Sequence, residues 1–290
     1  MDDLEPSPEV TVQTLLATPS LTIRHVCCRG DCQGHGPEEC ADATELVFPY
    51  RGMFARHLGR DQAVAEASQV LFFNAGEGYR VSHPVTGGDA CLSLAIAPAL
   101  LEELTPRPLA RTGEHLAFHH QRKPIDTRSQ VLAARLRRRL FSGRAQPLEA
   151  EGLALSLVQQ ALSLELAPSL SASAGRRKMA DRAKFVLGSD LGRRWTLAEI
   201  AAEVGGSPVY LTQVFRQAEG LPLYRYQLRL RLARALDLLD SYSDLTALAL
   251  DLGFSSHSHF TAAFREAYGC SPTAFRRKTQ GAPLEAEAET

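Results

Sequence analysis

Five side chains able to bind a metal or undergo thiol chemistry crowd into one stretch, CCRGDCQGHGPEEC, where Cys27, Cys28, Cys32, His35 and Cys40 lie within fourteen residues. Four of them, Cys28, Cys32, His35 and Cys40, can offer three thiolates and an imidazole to a tetrahedral zinc ion. Their spacing is not that of paired C-x-x-C hooks, so two other chemistries stay open. The thiols could form a redox- or electrophile-sensing pair, or they could bind nothing.

Around this cluster the sequence reads as short extended runs broken by turn residues. LTIRHV, TELVFPY, GMFARHL, SQVLFFNAGEGYRVSH and ACLSLAIA are separated by Gly, Pro, Asn and Asp, which predicts an all-β barrel or sandwich over roughly residues 20–105. Beyond Pro124 the texture turns helical: VLAARLRRRL and LEAEGLALSLVQQALSLEL place apolar residues at helical spacing, and they are expected to join and dimerise the domains. APSLSASAGRRK reads as a hinge, and TQGAPLEAEAET as a disordered tail.

From Arg176 onward the chain repeats itself with an offset of 48 to 49 residues. In the first copy Thr196 and Glu199 form a capping box, and Leu197, Ile200, Ala201 and Val204 make an apolar stripe that Gly205 ends. Ser207 and Pro208 then start a second helix whose buried face is Leu211, Val214 and Phe215. In the second copy Leu245, Leu248, Ala249 and Leu252 repeat the stripe and Gly253 the turn. Phe260, Ala263 and Phe264 repeat the buried face after a Ser255/Ser256 cap. Between the copies, PLYRYQLRLRLARALDLLD predicts a long amphipathic helix with Leu228, Leu232, Ala235 and Leu239 on one side and Arg225, Arg229 and Arg231 elsewhere. Two helix-turn-helix units held about 34 Å apart would fit successive major grooves of one duplex.

The motifs W-T-L-A-E-I-A, G-x-S-P-x-Y-L-x-x-x-F, R-L-x-x-A-x-x-L-L, G-F-S-S-x-S-H-F-x-x-x-F and G-x-S-P-x-x-F-R, from Trp195 to Arg276, resemble the AraC/XylS DNA-binding domain across the C-terminal third. The resemblance implies sequence-specific binding of double-stranded promoter DNA, contact with RNA polymerase and, most often, activation of transcription. Gly206 departs from it, standing where the family usually carries an apolar residue. The expected DNA-facing residues are Val209, Tyr210, Thr212, Gln213 and Arg216 on the first recognition helix, and His257, Ser258, Thr261, Ala262 and Arg265 on the second. Gln213 can pair with adenine, Val209 and Thr212 can meet thymine methyls, and Arg216 and Arg265 suit phosphates. Leu197, Leu211, Phe215, Leu245, Phe260 and Phe264 are expected in the core.

FFNAGEGYRVSHP, from Phe72 to Pro84, resembles the cupin-like sensor domain of many such regulators. That resemblance implies an effector in the barrel mouth, lined by Phe54, His57, Tyr79 and His83. The expected architecture is therefore a cupin-like sensor domain over 1–124, a helical linker and dimerisation region over 125–175, a double helix-turn-helix domain over 176–278 and a disordered tail over 279–290.

Composition agrees. Length and 44% hydrophobic content allow two cores, and no apolar run reaches the ~18 residues that span a bilayer. The acidic MDDLEPSPEV is not a signal peptide, so a cytoplasmic, non-membrane protein with reduced thiols is expected. Residues 175–278 hold 16 Lys and Arg against 10 Asp and Glu, a net of +6, while the remainder carries 16 against 23, or −7. A basic domain tethered to an acidic one suits a phosphate-binding half beside a non-binding half. An enzyme is the main alternative class, disfavoured because the β region lacks the His-x-His pair of cupin metal sites. His119 and His120 are adjacent, so on a strand they would point to opposite faces. An architectural or adaptor protein is the other.

Overall fold

The computed structural model describes residues 10–29, 34–143, 145–163 and 173–280. Its N-terminal half is β-rich: β1 (Val10–Ala17), β2 (Leu21–Cys28), β3 (Glu39–Cys40), β4 (Glu45–Arg51), β5 (Phe54–Leu58), β6 (Asp61–Ala65), β7 (Gln69–Phe73), β8 (Gly78–Ser82) and β9 (Asp89–Ile96). After α1 (Pro98–Leu104) come three short strands, β10 (Ala110–Arg111), β11 (Ala117–Phe118) and β12 (Arg122–Pro124). A six-stranded sheet in the order β1-β2-β9-β4-β7-β12 faces a four-stranded sheet in the order β3-β8-β5-β6. Each predicted extended run contains a strand; β1, β6 and the two- or three-residue strands β3, β10, β11 and β12 are additions.

The central strands of the larger sheet are buried on both faces, and the two-residue period of a strand sorts their side chains. Ile23, Leu46, Phe48, Phe72, Leu92 and Leu94 point one way, into a core closed by α2 (Thr127–Phe141) and α3 (Pro147–Leu162). Val47, Leu71, Phe73 and Cys91 point the other way and meet Phe54, Ala65 and Tyr79 of the smaller sheet. The predicted linker helices thus begin as the outer layer of the β domain. Asp126 caps α2, its carboxylate accepting from the Ser129 N–H at 2.8 Å.

The C-terminal half comprises α4 (Ala174–Ser189), α5 (Leu197–Val204), α6 (Pro208–Glu219), α7 (Leu223–Leu238), α8 (Leu245–Asp251), α9 (His257–Tyr268) and α10 (Pro272–Gln280). α4 takes up the GRRK that reads as hinge in the sequence, while the rest of that hinge, residues 167–172, falls outside the described residues, as do residues 281–290 of the tail. α7 also differs from expectation. It carries two apolar faces rather than one, because Leu223, Tyr226 and Leu230 belong to the core of the first unit and Leu232, Ala235, Leu236 and Leu239 to that of the second.

Polar contacts join the halves. Arg122 of β12 reaches Asp181 of α4 at 3.4 Å and Glu219, the last residue of α6, at 3.8 Å; buried Lys184 meets the same Glu219 at 2.5 Å. From α2, Arg137 pairs with Asp237 of α7, and Arg138 donates to the Leu236 carbonyl at 3.0 Å. The Arg137 guanidinium lies 3.9 Å over the Tyr50 ring, and the Tyr50 hydroxyl meets His25 Nε2 at 2.7 Å.

His25 yields a pH dependence. Burial first, then the charges of Arg51 and Arg137, lower its pKa from 6.5 against the opposing pull of Asp237, while Tyr50 and Phe141 supply its ring contacts. The unfolded chain then holds a proton that the folded chain does not. Stability should decline as pH drops below 6.5, levelling once the folded imidazole is itself protonated. Denaturant midpoints between roughly pH 5 and 8 measure this, and His25→Gln should flatten the decline.

Candidate nucleic-acid interface and sensor cavity

Each helix-turn-helix unit is assembled by short-range bonds. Thr196 and Glu199 make the reciprocal capping box at the start of α5, the Glu199 N–H donating to the Thr196 hydroxyl at 3.2 Å and the Thr196 N–H to the Glu199 carboxylate at 2.7 Å. Those hydrogen bonds, with the Arg193 guanidinium, hold the Glu199 carboxyl down at about 2. Gly205, at φ 75°, turns the chain, and Ser207 accepts from the Tyr210 N–H at 3.2 Å to open α6. In the second unit Asp244 caps α8, Gly253 turns at φ 76° and Ser256 accepts from the His259 N–H at 3.1 Å to open α9.

Leu211, Phe215, Phe260 and Phe264 are fully buried, as the pattern requires, and Leu245 is half-buried against the second core. Leu197 is corrected: it is 37% exposed, because at the first position of α5 it precedes the turn that packs inward. Gly206 is compensated by Met179 of α4, whose Cε would lie 3.3 Å from a Cβ at that position and fills the space of the missing side chain.

Nine of the ten sequence-predicted contact residues are exposed: Val209, Tyr210, Thr212, Gln213 and Arg216 on α6, and His257, Ser258, Ala262 and Arg265 on α9; Thr261 is half-buried. Val209 and Tyr210 rank among the exposed large apolar side chains, at 68% and 45%. The Thr212 hydroxyl donates to the Val209 carbonyl at 2.7 Å, so its polar atom is spent within the helix.

From the sequence Arg231 is expected only to lie away from the apolar side of the helix that forms α7, with no partner assigned. Instead its guanidinium donates to the carbonyls of Leu191 at 2.8 Å, Arg193 at 2.9 Å and Gly253 at 3.1 Å, tying the loop before the first unit to the turn of the second. Gln227 adds a bond to the Arg193 carbonyl at 3.1 Å. No local pattern signals these contacts, since their partners lie 22 to 40 residues away.

In the β domain a cavity of about 150 Å³ opens between the sheets. Phe54, Tyr79 and His83 line it, as expected of effector residues. His57 does not: three residues from Phe54 on one strand, it points to the opposite face, where Nε2 meets Ser82 Oγ at 2.8 Å and the ring stacks on His35 at 4.2 Å. Glu45, Asp89, Cys91 and Ser93 also line the cavity and were missed. Burial pushes the Cys91 thiol well up, and Glu45 bonds to Ser93 and to Arg24 at 3.0 Å.

The cysteine-rich loop does not gather as expected. Cys32 lies outside the described residues; Cys40 and His35 are exposed, while Cys28 is buried at the end of β2 and faces inward. Among the described residues, the one group of three potential metal ligands is Cys28, His83 and Asp89. Strand pairing, which the sequence does not display, draws Cys28 away from its sequence neighbours. Cys27, Cys28, Cys40, Cys91 and Cys270 form no disulfide. His119 and His120 are exposed beyond β11.

A helix-turn-helix domain model matches residues 200–278. The chain is 28% identical over 235 residues to the transcriptional regulator GadX of Escherichia coli O6:H1, covering 81% of this chain and 82% of that protein. It is 29% identical over 141 residues to the transcriptional activator RhaR of Klebsiella pneumoniae, covering 46% of this chain and 50% of that one. Similar solved structures include an AraC-type regulator from Chromobacterium violaceum (28% identity, 38% of this chain and 100% of that chain, TM-score 0.35). Another is fatty-acid-bound ToxT from Vibrio cholerae (13% identity, 92% and 99%, TM-score 0.35). Two helix-turn-helix units on a shared helix, behind a β-rich domain, define a DNA-binding transcription regulator. The domain match and these relatives support a transcriptional regulator of the AraC type. No helix among the described residues is long and apolar enough to cross a membrane.

The two turn glycines make a test of this packing. A Cβ at Gly205 meets open space, so Gly205→Ala should cost only the left-handed backbone, about 1–2 kcal/mol. A Cβ at Gly253 collides with the Gly192 carbonyl and the Arg231 guanidinium, so Gly253→Ala should cost about 3 kcal/mol or more. Urea midpoints of the two variants check the ranking.

Proposed function

We propose that this chain regulates transcription from specific promoters, its β domain receiving a signal and α6 and α9 reading successive major grooves of one duplex. The observation that carries this reading is the twice-written unit in which the apolar face of each second helix is buried and its other face stays open. In this reading Gln213 pairs with adenine and Val209 and the Thr212 methyl meet thymine methyls. Tyr210, His257, Ser258, Thr261 and Ala262 line the grooves, and Arg216 and Arg265 bind phosphates. Residues 1–124 form the cupin-like sensor, 125–175 the linker, where two copies pair, and 176–278 the DNA-binding domain. The expected action is activation through RNA polymerase, the role carried in the name of the relative RhaR. Regulators of this kind work in the cytoplasm on chromosomal DNA.

Binding to the chain's own upstream promoter, followed by fluorescence anisotropy over a salt series, tests the assignment. Gln213→Ala should lose about 1–3 kcal/mol and relax the preference at one base pair. Arg216→Ala should weaken all sequences alike and reduce the salt slope by about 1. Parental affinity, preference and slope in both variants would remove α6 from the groove; absence of any steep salt dependence would favour an adaptor that binds proteins.

A further inference from the structure

We propose that the cavity between the two sheets is a binding site for a single thiophilic divalent cation of the zinc class, held by Cys28, His83 and Asp89. The three come from separate segments: the last residue of β2, the residue after β8 and the first residue of β9. All are buried, at 2%, 7% and 6% exposure, and one donor atom from each lies within 4.8 Å of the others. A tetrahedral ion with bonds of 2.0–2.3 Å spaces its donors roughly 3.3–3.8 Å apart, within the 4.8 Å that bounds the set, so the His83–Asp89 contact opens slightly as the ion enters.

The fold holds the set in place. Cys28 and Asp89 are direct partners in the β2–β9 register, so their side chains leave the sheet on the same face. His83 returns across the connecting loop, and its Nδ1 bonds to Asp89 Oδ2 at 2.5 Å. The ion would take the place of the proton shared in this bond, with His83 Nδ1 and an Asp89 oxygen both turning to it, so the contact marks two donors that already face one another. Phe54, Val26 and Val81 line the cavity as apolar neighbours, and Glu45, which also lines it, is paired with Arg24 at 3.0 Å. One thiolate and one carboxylate then balance a divalent charge. On binding, the Cys28 thiol proton leaves to solvent as the sulfur–metal bond forms, and the donor set of thiolate and imidazole selects zinc or cobalt over magnesium or calcium.

The site differs from the loop quartet expected from spacing: it keeps Cys28 alone of that set. As a signal for promoter binding the ion rests on the regulator reading above; as a binding site it does not.

The test uses the full-length protein, stripped with chelator under reducing conditions and titrated with cobalt(II). A thiolate-to-cobalt charge-transfer band should appear, saturate at a single equivalent and vanish on adding zinc. Cys28→Ser should abolish the band, His83→Ala and Asp89→Asn should weaken affinity at least about tenfold, and Cys40→Ser should change nothing. X-ray absorption of the zinc-loaded parent protein, which needs no variant to fold, should show one sulfur ligand. No charge-transfer band, a band that survives Cys28→Ser or disappears in Cys40→Ser, or two or more sulfur ligands would overturn the site. Promoter affinity measured with and without zinc separates the two readings. Loading should change it about fivefold or more, and equal affinities would overturn the signalling role. Metal binding by a protein that ignores its promoter would sustain the site and sink the regulator.

Discussion

The C-terminal half depends on one helix belonging to two cores at once. α7 gives its first turns to the apolar centre of one helix-turn-helix unit and its last turns to the other, and the Arg231 guanidinium, midway, bonds three backbone carbonyls drawn from both. A hydrogen bond from a charged donor to a carbonyl is costly to break. The two units therefore cannot turn independently without emptying a core or breaking those bonds. Orientation of α6 relative to α9 is thus a property of packing.

The β domain solves a different problem, that of holding polar groups inside an apolar shell. Its larger sheet is covered on one side by helices and on the other by the smaller sheet, so along its central strands the two-residue alternation decides which core a side chain joins. On β9 this places Leu92, Leu94 and Ile96 among the helices and Asp89, Cys91 and Ser93 in the cavity.

What could be read directly from the chain was whatever is decided within a few residues. Capping residues, turn glycines and the stripes of α5, α6, α8 and α9 are local, and the structure repeats them with only Leu197 displaced to the surface. His57, expected beside Phe54 in the cavity, is corrected by strand geometry alone, since an odd separation along a strand puts the two on opposite faces. Other features rest on distant partners. The two-sided burial of α7 reflects neighbours from both units, and the inward position of Cys28 follows from its pairing opposite Asp89, sixty-one residues on. β1 carries too many exposed positions for its hydrophobicity to announce a strand.

The junction at Glu219 has a mechanical meaning. That residue ends α6, and the arginine that approaches it rides on β12, which is hydrogen-bonded to β7 in the larger sheet. The recognition helix is thereby tethered at its tail to the wall of the β domain, like a rudder post seated in the hull. A shift of that wall would therefore pull on the tail of α6 through the Arg122–Glu219 pair.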